Sequence, residues 1–239
     1  MDSIRRQARL AGALYALVAV AGPLTLIYLP GKVFSPGTAG SAADHIRSVA
    51  GLLRLGLGSE LLYQTVEVFL ILVLYGLFKP VSPKLARTMA VLGLLPIPIV
   101  MLNVLNEIAA LMLVAGPKFL AGLSNTQADA LAAFYFVLHG QGLQIAAIFW
   151  GLWLVPLGLM IFRCGFIPRI LGASVIMAAV GYVVGAAVTL VFPQYAGLFA
   201  GPTLVLELGE PPIILWLLIF GARGSAPQLT SAVSAAQPS

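Results

Sequence analysis

The sequence predicts an all-α integral membrane protein. It reads as a helical bundle of about six transmembrane helices, with both termini on the cytoplasmic side and short amphipathic helices on the outer surface. Three observations lead there. Of 239 residues, 60% are hydrophobic and only 9% are charged, against about 25% charged in an ordinary soluble domain, so the chain cannot cover itself with a water-facing surface. The mean hydropathy is +1.02, and the apolar residues gather into runs near the ~20 residues that cross a bilayer as a helix. The net charge of +5 comes from 13 Lys and Arg scattered singly between those runs. A nucleic-acid surface would cluster them, so they read as determinants of topology, and no nucleic-acid partner is expected.

The first predicted span covers Leu10 to Leu29, behind Arg5, Arg6 and Arg9. It exceeds the ~7–15 apolar residues of a cleaved signal and no small-x-small site closes it, so a retained helix is expected. The second span runs from about Leu55 to Phe78 and the third from about Thr88 to Val114. The fourth ends near Phe162 and starts between Leu131 and Leu138. The fifth covers Ile170 to Val191, and the sixth about Pro202 to Phe220. Residues 1–223 thus form one transmembrane domain. From Gly224 the chain is Ser, Ala, Gln and Pro without apolar period, which predicts a disordered cytoplasmic tail over 224–239.

Charge supports this order. With the N-terminus inside, Arg5, Arg6, Arg9, Lys79, Lys84, Arg87, Arg163, Arg169 and Arg223 are cytoplasmic, nine of the 13 cationic residues. Lys32, Arg47, Arg54 and Lys118 fall outside. That bias is the expected one for a bacterial cytoplasmic (inner) membrane protein. Two outer segments carry helix starts. Ser41-Ala42-Ala43-Asp44 resembles a capping box, followed by Ile46, Val49, Ala50, Leu53 and Leu57 at helical spacing, a pattern for an amphipathic surface helix leading into the second span. Ser124-Asn125-Thr126-Gln127 is a second cap. A helix from there to Phe162 would reach roughly 55 Å at 1.5 Å per residue, so it must project outward or break near Gly140 and Gly142.

Prolines interrupt two spans: Pro96 and Pro98 in the third, Pro211 and Pro212 in the sixth. Each removes a backbone donor, and neighbouring groups must satisfy the freed carbonyls. Gly181 and Gly185 form a small-xxx-small pattern suited to close helix packing. Cys164 reads as a small apolar residue near a helix end.

The chemistry follows from where the acids sit. Five of the eight Asp and Glu lie inside spans: Glu60, Glu67, Glu107, Glu207 and Glu210. An ionisable group at the bilayer centre costs at least ~2.5–3.5 kcal/mol, so such groups face the bundle interior. Glu60, Gln64 and Glu67 share one face of the second helix, Asn103, Asn106 and Glu107 one face of the third. Gln141 and Gln144 share a face of the fourth, and Glu207 and Glu210 one of the sixth. All fall in the outer half or near the middle, Glu67 deepest at about 18 Å along the helix from Leu55. The expected object is a carboxylate- and amide-rich pocket among helices two, three, four and six, open to the outside. Helices one and five are expected to be scaffold, and His139, on a different face from Gln141, to sit at the interface or else edge the pocket as a further ligand-binding candidate.

Familiar catalytic motifs are absent: no HExxH, GxSxG, Walker loop or CxxC. With His45, His139 and one cysteine, no haem or structural zinc site is expected, nor any other metal or cofactor. No span holds a Lys for a Schiff base.

Several stretches resemble an uncharacterised bacterial multi-pass membrane family known only as a domain of unknown function. They are Leu53-Arg54-Leu55-Gly56 with Glu60-Leu61-Leu62, Asn103-Val104-Leu105-Asn106, the region of His139, Gly165-Phe166-Ile167-Pro168-Arg169-Ile170-Leu171-Gly172, and Glu207-Leu208-Gly209-Glu210 before Trp216. The likeness covers Ala8 to Gly221. It implies a multi-pass architecture, with Pro168 and Arg169 starting the fifth helix, and no established reaction. Family members often carry a second histidine where Trp153 stands, so a histidine pair does not transfer to this chain.

Three functions are consistent with these residues. The first is binding or transport of a small hydrophobic or cationic molecule through the outward-facing pocket. In that reading Glu67 and Glu107 carry protons or pair with the cation, and Asn103, Asn106 and Gln144 orient the ligand. The second is a membrane enzyme acting on a lipid or isoprenoid-like substrate, with Glu60 or Glu67 as general acid. The third is an accessory membrane subunit whose carboxylates hold helices together.

Overall fold

A computed structural model describes residues 2–23, 28–33, 42–116 and 122–222, and every regular element among them is helical. In chain order these are α1 (Asp2–Pro23), α2 (Leu29–Val33), α3 (Ala42–Ser48), α4 (Ala50–Phe78), α5 (Pro83–Leu94), α6 (Pro96–Ala115), α7 (Asn125–Cys164), α8 (Arg169–Val191), α9 (Ala196–Glu207) and α10 (Pro211–Ile219). Among the described residues, five helical segments are long and apolar enough to cross a membrane: α4, α5 with α6, α7, α8, and the segment from Pro193 through α9 and α10. The predicted first span extends α1 through residues 24–27, which lie outside the described residues. So do Ser41 of the first predicted cap, Lys118, Arg223 and the predicted tail.

The local reasons for these boundaries are visible in the sequence. Ser82 caps α5, its hydroxyl accepting the Leu85 N–H at 3.4 Å, with Pro83 in the first turn where its missing donor costs nothing. Pro96 separates α5 from α6 without turning the chain out of the span. The capping box at Ser124 forms as its residues predict. The Ser124 hydroxyl accepts the Gln127 N–H at 3.3 Å, and the Gln127 side chain accepts the Ser124 N–H at 2.9 Å.

From that cap α7 runs unbroken for 40 residues, through Gly140, Gly142 and Pro156. Of the two expected alternatives, projection and not a break near Gly140 and Gly142 is the one that fits. At 1.5 Å per residue the helix is about 60 Å long, so it extends beyond a ~30 Å hydrocarbon core. Gly142 is used for close approach rather than as a hinge. A Cβ there would collide with the Asn103 side chain of α6, whereas a Cβ at Gly140 would meet nothing within 4 Å.

Gly165, at φ 73°, ends α7 in the left-handed conformation that glycine adopts without strain. Phe166 and Ile167 then bury their side chains, Phe166 against Phe78 with ring centroids 5.9 Å apart. Pro168 sits at the N-cap and α8 begins at Arg169. The most distinctive run of the sequence is therefore a helix–helix corner, and its role is architectural. The sixth predicted span starts earlier than Pro202 and is discontinuous. A 3₁₀ turn at Pro193–Tyr195 leads into α9, and the chain breaks over Leu208–Glu210 before Pro211 and Pro212.

Helix α7 packs along α5, α6 and α8, while α1 lies against α4 and α10, and α8 against α9. The small-xxx-small pattern serves the last contact, since Gly181 lies beneath α9 with the Thr203 carbonyl 2.8 Å from where a Cβ would sit. Among the described residues a small apolar cluster of Val100, Leu143 and Ala146 joins α6 to α7, and two larger cores form besides. The larger joins Tyr15, Leu74, Phe78, Met89, Trp153, Leu157 and Ile213 from α1, α4, α5, α7 and α10. The smaller lies at the other end, where Leu29, Ile46, Leu53, Leu111, Ala132 and Phe136 meet. Helix α3 belongs to this end. It buries Ala43 and Ile46 and turns Arg47 outward to Asp44, at 3.0 Å, and to Asp129 at the start of α7. On α4 and α7 the polar residues sit in sequence between members of the two larger cores, and on α6 between Val100 of the small cluster and Ala110, which places them in one layer across the bundle. Leucines, phenylalanines and valines such as Leu55, Phe69, Leu102 and Val205 cover the outer surface.

Candidate functional site

The polar layer holds two groups of side chains. In the first, α4 supplies Glu60, α6 supplies Asn103, Asn106 and Glu107, and α7 supplies His139. All but Asn106 are buried, and Asn106 is half-buried. Asn103 is the pivot. Its amide donates to the His139 backbone carbonyl at 2.7 Å, and its side-chain oxygen accepts from the Asn106 amide at 2.9 Å. The imidazole Nδ1 lies 3.2 Å from the Asn103 amide nitrogen and 3.3 Å from the Asn103 backbone oxygen. The other ring nitrogen, Nε2, faces Glu60 across 3.7 Å. His139 is therefore a buried member of this group, which fits the pocket-edge alternative and not the interfacial placement that its position near the end of a predicted span suggests. The long α7 carries the helix well past it, so it lies at the depth of Asn103.

The second group surrounds Glu210, at the break between α9 and α10. Its two carboxylate oxygens accept hydrogen bonds from the Tyr15 hydroxyl of α1 and, at 2.8 Å, from the Tyr182 hydroxyl of α8. The rings of these tyrosines are themselves held by tryptophans: Tyr15 by Trp153 at 5.8 Å and Tyr182 by Trp150 at 6.4 Å between centroids. The helix break explains the position. Pro211 and Pro212 have no N–H to give, so the chain ends α9 in a tight turn with Glu210 N–H bonded to the Glu207 carbonyl at 3.0 Å. That turn directs the Glu210 carboxylate toward α1 and α8.

Beside this group is a cavity of about 750 Å³. Glu67, Glu207, Glu210, Gln144 and His139 are among its lining residues, with the aromatic rings of Tyr15, Tyr63, Phe136, Trp150, Trp153 and Tyr182. Its walls come from α1, α4, α7, α8, α9 and α10.

Several expectations change here. The acids do not form one pocket among helices two, three, four and six. Glu67, Glu207, Glu210 and Gln144 face the cavity, whereas Glu60, Glu107 and Asn103 converge on His139 to one side of it. Helices one and five are more than scaffold, because Tyr15 and Tyr182 bind Glu210. Gln141 is exposed, and Gln144 alone of that pair reaches the cavity. Gln64 is fully buried on α4, one turn from Glu60. Sequence reasoning missed the aromatic wall. Tyr15 and Tyr182 lie within apolar runs that give no periodic polar signal, and only proximity to a buried acid identifies them.

Five membrane-length helices closing over buried carboxylates define the class, a multi-pass membrane protein with a polar interior. The chain belongs to the family described as Domain of unknown function (DUF4386), whose model matches residues 10–221. An uncharacterised protein of Archaeoglobus fulgidus is similar at 25% identity over 170 residues, 68% of this chain and 86% of that protein. No solved structure matches the chain.

Proposed function

We propose that this protein binds, and moves across or out of the bilayer, a small molecule with an apolar body and a positive charge. The observation that carries the reading is the cavity, in which three glutamates stand among aromatic rings. Glu67, Glu207 and Glu210 supply negative charge, and the faces of Trp150, Trp153 and Tyr182 supply both apolar area and cation–π attraction. The volume suits a small organic ligand. The discontinuous α9–α10 segment, with its break at the acidic residues, follows the pattern of transporter helices that interrupt at a midplane site. In this reading Glu67 and Glu210 exchange a proton for the cation, and Gln144 orients the ligand from α7.

The reading includes six crossings of a prokaryotic cytoplasmic membrane, with α1 and residues up to Leu29 as the first and both ends inside. The distribution of cationic residues supports that orientation. Because Trp150 and Trp153 line the cavity, a bound aromatic cation reports on itself. Titration of the detergent-solubilised protein with tetraphenylphosphonium should quench tryptophan fluorescence saturably. The Glu67→Gln, Glu210→Gln double variant should weaken the apparent affinity by at least about tenfold, the loss of one charge-assisted contact. Quenching that is linear in both proteins, or saturable with equal affinity, would contradict the reading.

A further inference from the structure

The group around His139 lies apart from the cavity's carboxylates, and the proposed function makes no use of it. One oxygen each of Glu60 and Glu107 and one ring nitrogen of His139 lie within 4.8 Å of one another, each residue from a different helix and each buried. Two further observations bear on what this triad holds. Neither oxygen of Glu60 has a hydrogen-bond partner, although the residue is only 1% exposed. The 3.7 Å between its Oε2 and His139 Nε2 is too long for the hydrogen bond that a shared proton would draw to under 3 Å. A buried carboxylate with no hydrogen bond costs several kcal/mol when it is ionised, and a cation placed between Glu60 and His139 would offset that cost.

We propose that Glu60, Glu107 and His139 bind a divalent transition-metal ion, Zn²⁺ or Mn²⁺, through one carboxylate oxygen from each glutamate and Nε2 of the histidine. The donor chemistry supports the ion class: imidazole with carboxylates is a set that Zn²⁺ accepts, while carboxylate oxygens also suit Mn²⁺. Charge balance supports it as well. Two carboxylates and a neutral imidazole cancel a divalent ion, which removes net charge from a low-dielectric interior.

The surroundings of His139 match a metal-ligating histidine. Its Nδ1 is within reach of the Asn103 backbone carbonyl, 3.3 Å away. Donation from Nδ1 to that oxygen leaves the Nε2 lone pair aimed at the carboxylates, the usual way in which a protein orients a metal-bound imidazole. Asn103 fixes the same segment by its bond to the His139 carbonyl, and is a positioning residue here. Donors about 2.0–2.2 Å from a tetrahedral centre stand roughly 3.5 Å apart, so binding closes the triad by about an ångström. Three protein ligands leave a coordination position open, and His139 also lines the cavity.

The test uses the full chain purified in mild detergent through a histidine-free affinity tag, with metal content measured by plasma mass spectrometry after incubation with Zn²⁺ or Mn²⁺ and removal of free ion. The wild type should retain about one ion per chain. Glu60→Gln, Glu107→Gln and His139→Gln should each retain at least about tenfold less, while Glu207→Gln, on the cavity wall, retains the wild-type amount. A wild type that holds no ion above buffer overturns the proposal, as does equal retention in Glu60→Gln and Glu207→Gln. Should the triad variants fail to fold, X-ray absorption of the metal in a His45→Asn chain decides. One imidazole and only nitrogen or oxygen donors supports the site, and a shell without imidazole overturns it.

Discussion

Gly142→Ala should unfold at a temperature several degrees lower than the wild type, while Gly140→Ala, two residues away on the same helix, should unfold at the same temperature or slightly higher. At Gly142 a methyl group would overlap the Asn103 side chain. Overpacking of a buried contact costs about 1–3 kcal/mol. Displacing Asn103 also costs its 2.7 Å bond to the His139 carbonyl and the 2.9 Å bond it accepts from Asn106, each worth about 1 kcal/mol. The total is on the order of 3 kcal/mol. At Gly140 nothing lies within 4 Å of the added atom, and alanine is the better helix former by about 1 kcal/mol. Thermal denaturation of both variants in one detergent gives the comparison. Equal shifts in the same direction would mean that α6 and α7 do not approach at Gly142.

The second large effect is at Glu210. Its replacement by alanine leaves the Tyr15 and Tyr182 hydroxyls without their acceptor. Tyr15 is only 3% exposed, so its hydroxyl has little access to bulk solvent. An orphaned buried donor costs about 1–3 kcal/mol, which puts Glu210→Ala near 3 kcal/mol. Tyr15→Phe and Tyr182→Phe, each losing a bond while leaving one phenol on the carboxylate, should cost about 1–1.5 kcal/mol apiece. The informative quantity is the coupling. In the Tyr15→Phe, Tyr182→Phe background, Glu210→Ala should lose most of its effect, because no hydroxyl remains to be orphaned. Additive losses would show that the two tyrosines do not act through Glu210.

How much of this the residues disclose in advance depends on the range of the interaction. The cap at Ser124 is readable because a capping box is confined to four consecutive residues, and the corner at Gly165–Pro168 for the same reason. The inward faces of α4 and α6 are readable because Glu60, Gln64 and Glu67, like Asn103 and Glu107, repeat with the helical period in otherwise apolar runs. What those faces meet is not readable. Glu210 and Glu60 look alike in sequence. One ends against two phenols and the other against an imidazole, because the break at Pro211 turns the first toward α1 and α8. Gly142 reads in the sequence as a possible break, and only the Asn103 side chain opposite it shows that it is a contact point. The triad of Glu60, Glu107 and His139 joins residues from three helices at no characteristic spacing, so no motif announces it.

The cavity beside Glu67 and Glu210 should accommodate a ligand. Native mass spectrometry of protein released from mild detergent tests it most directly, comparing the wild type with the Glu67→Gln, Glu210→Gln variant. The wild type should carry a discrete small-molecule adduct that is missing from the variant. Spectra that match, with only bulk phospholipid on both proteins, would contradict it and leave these carboxylates as contacts between helices.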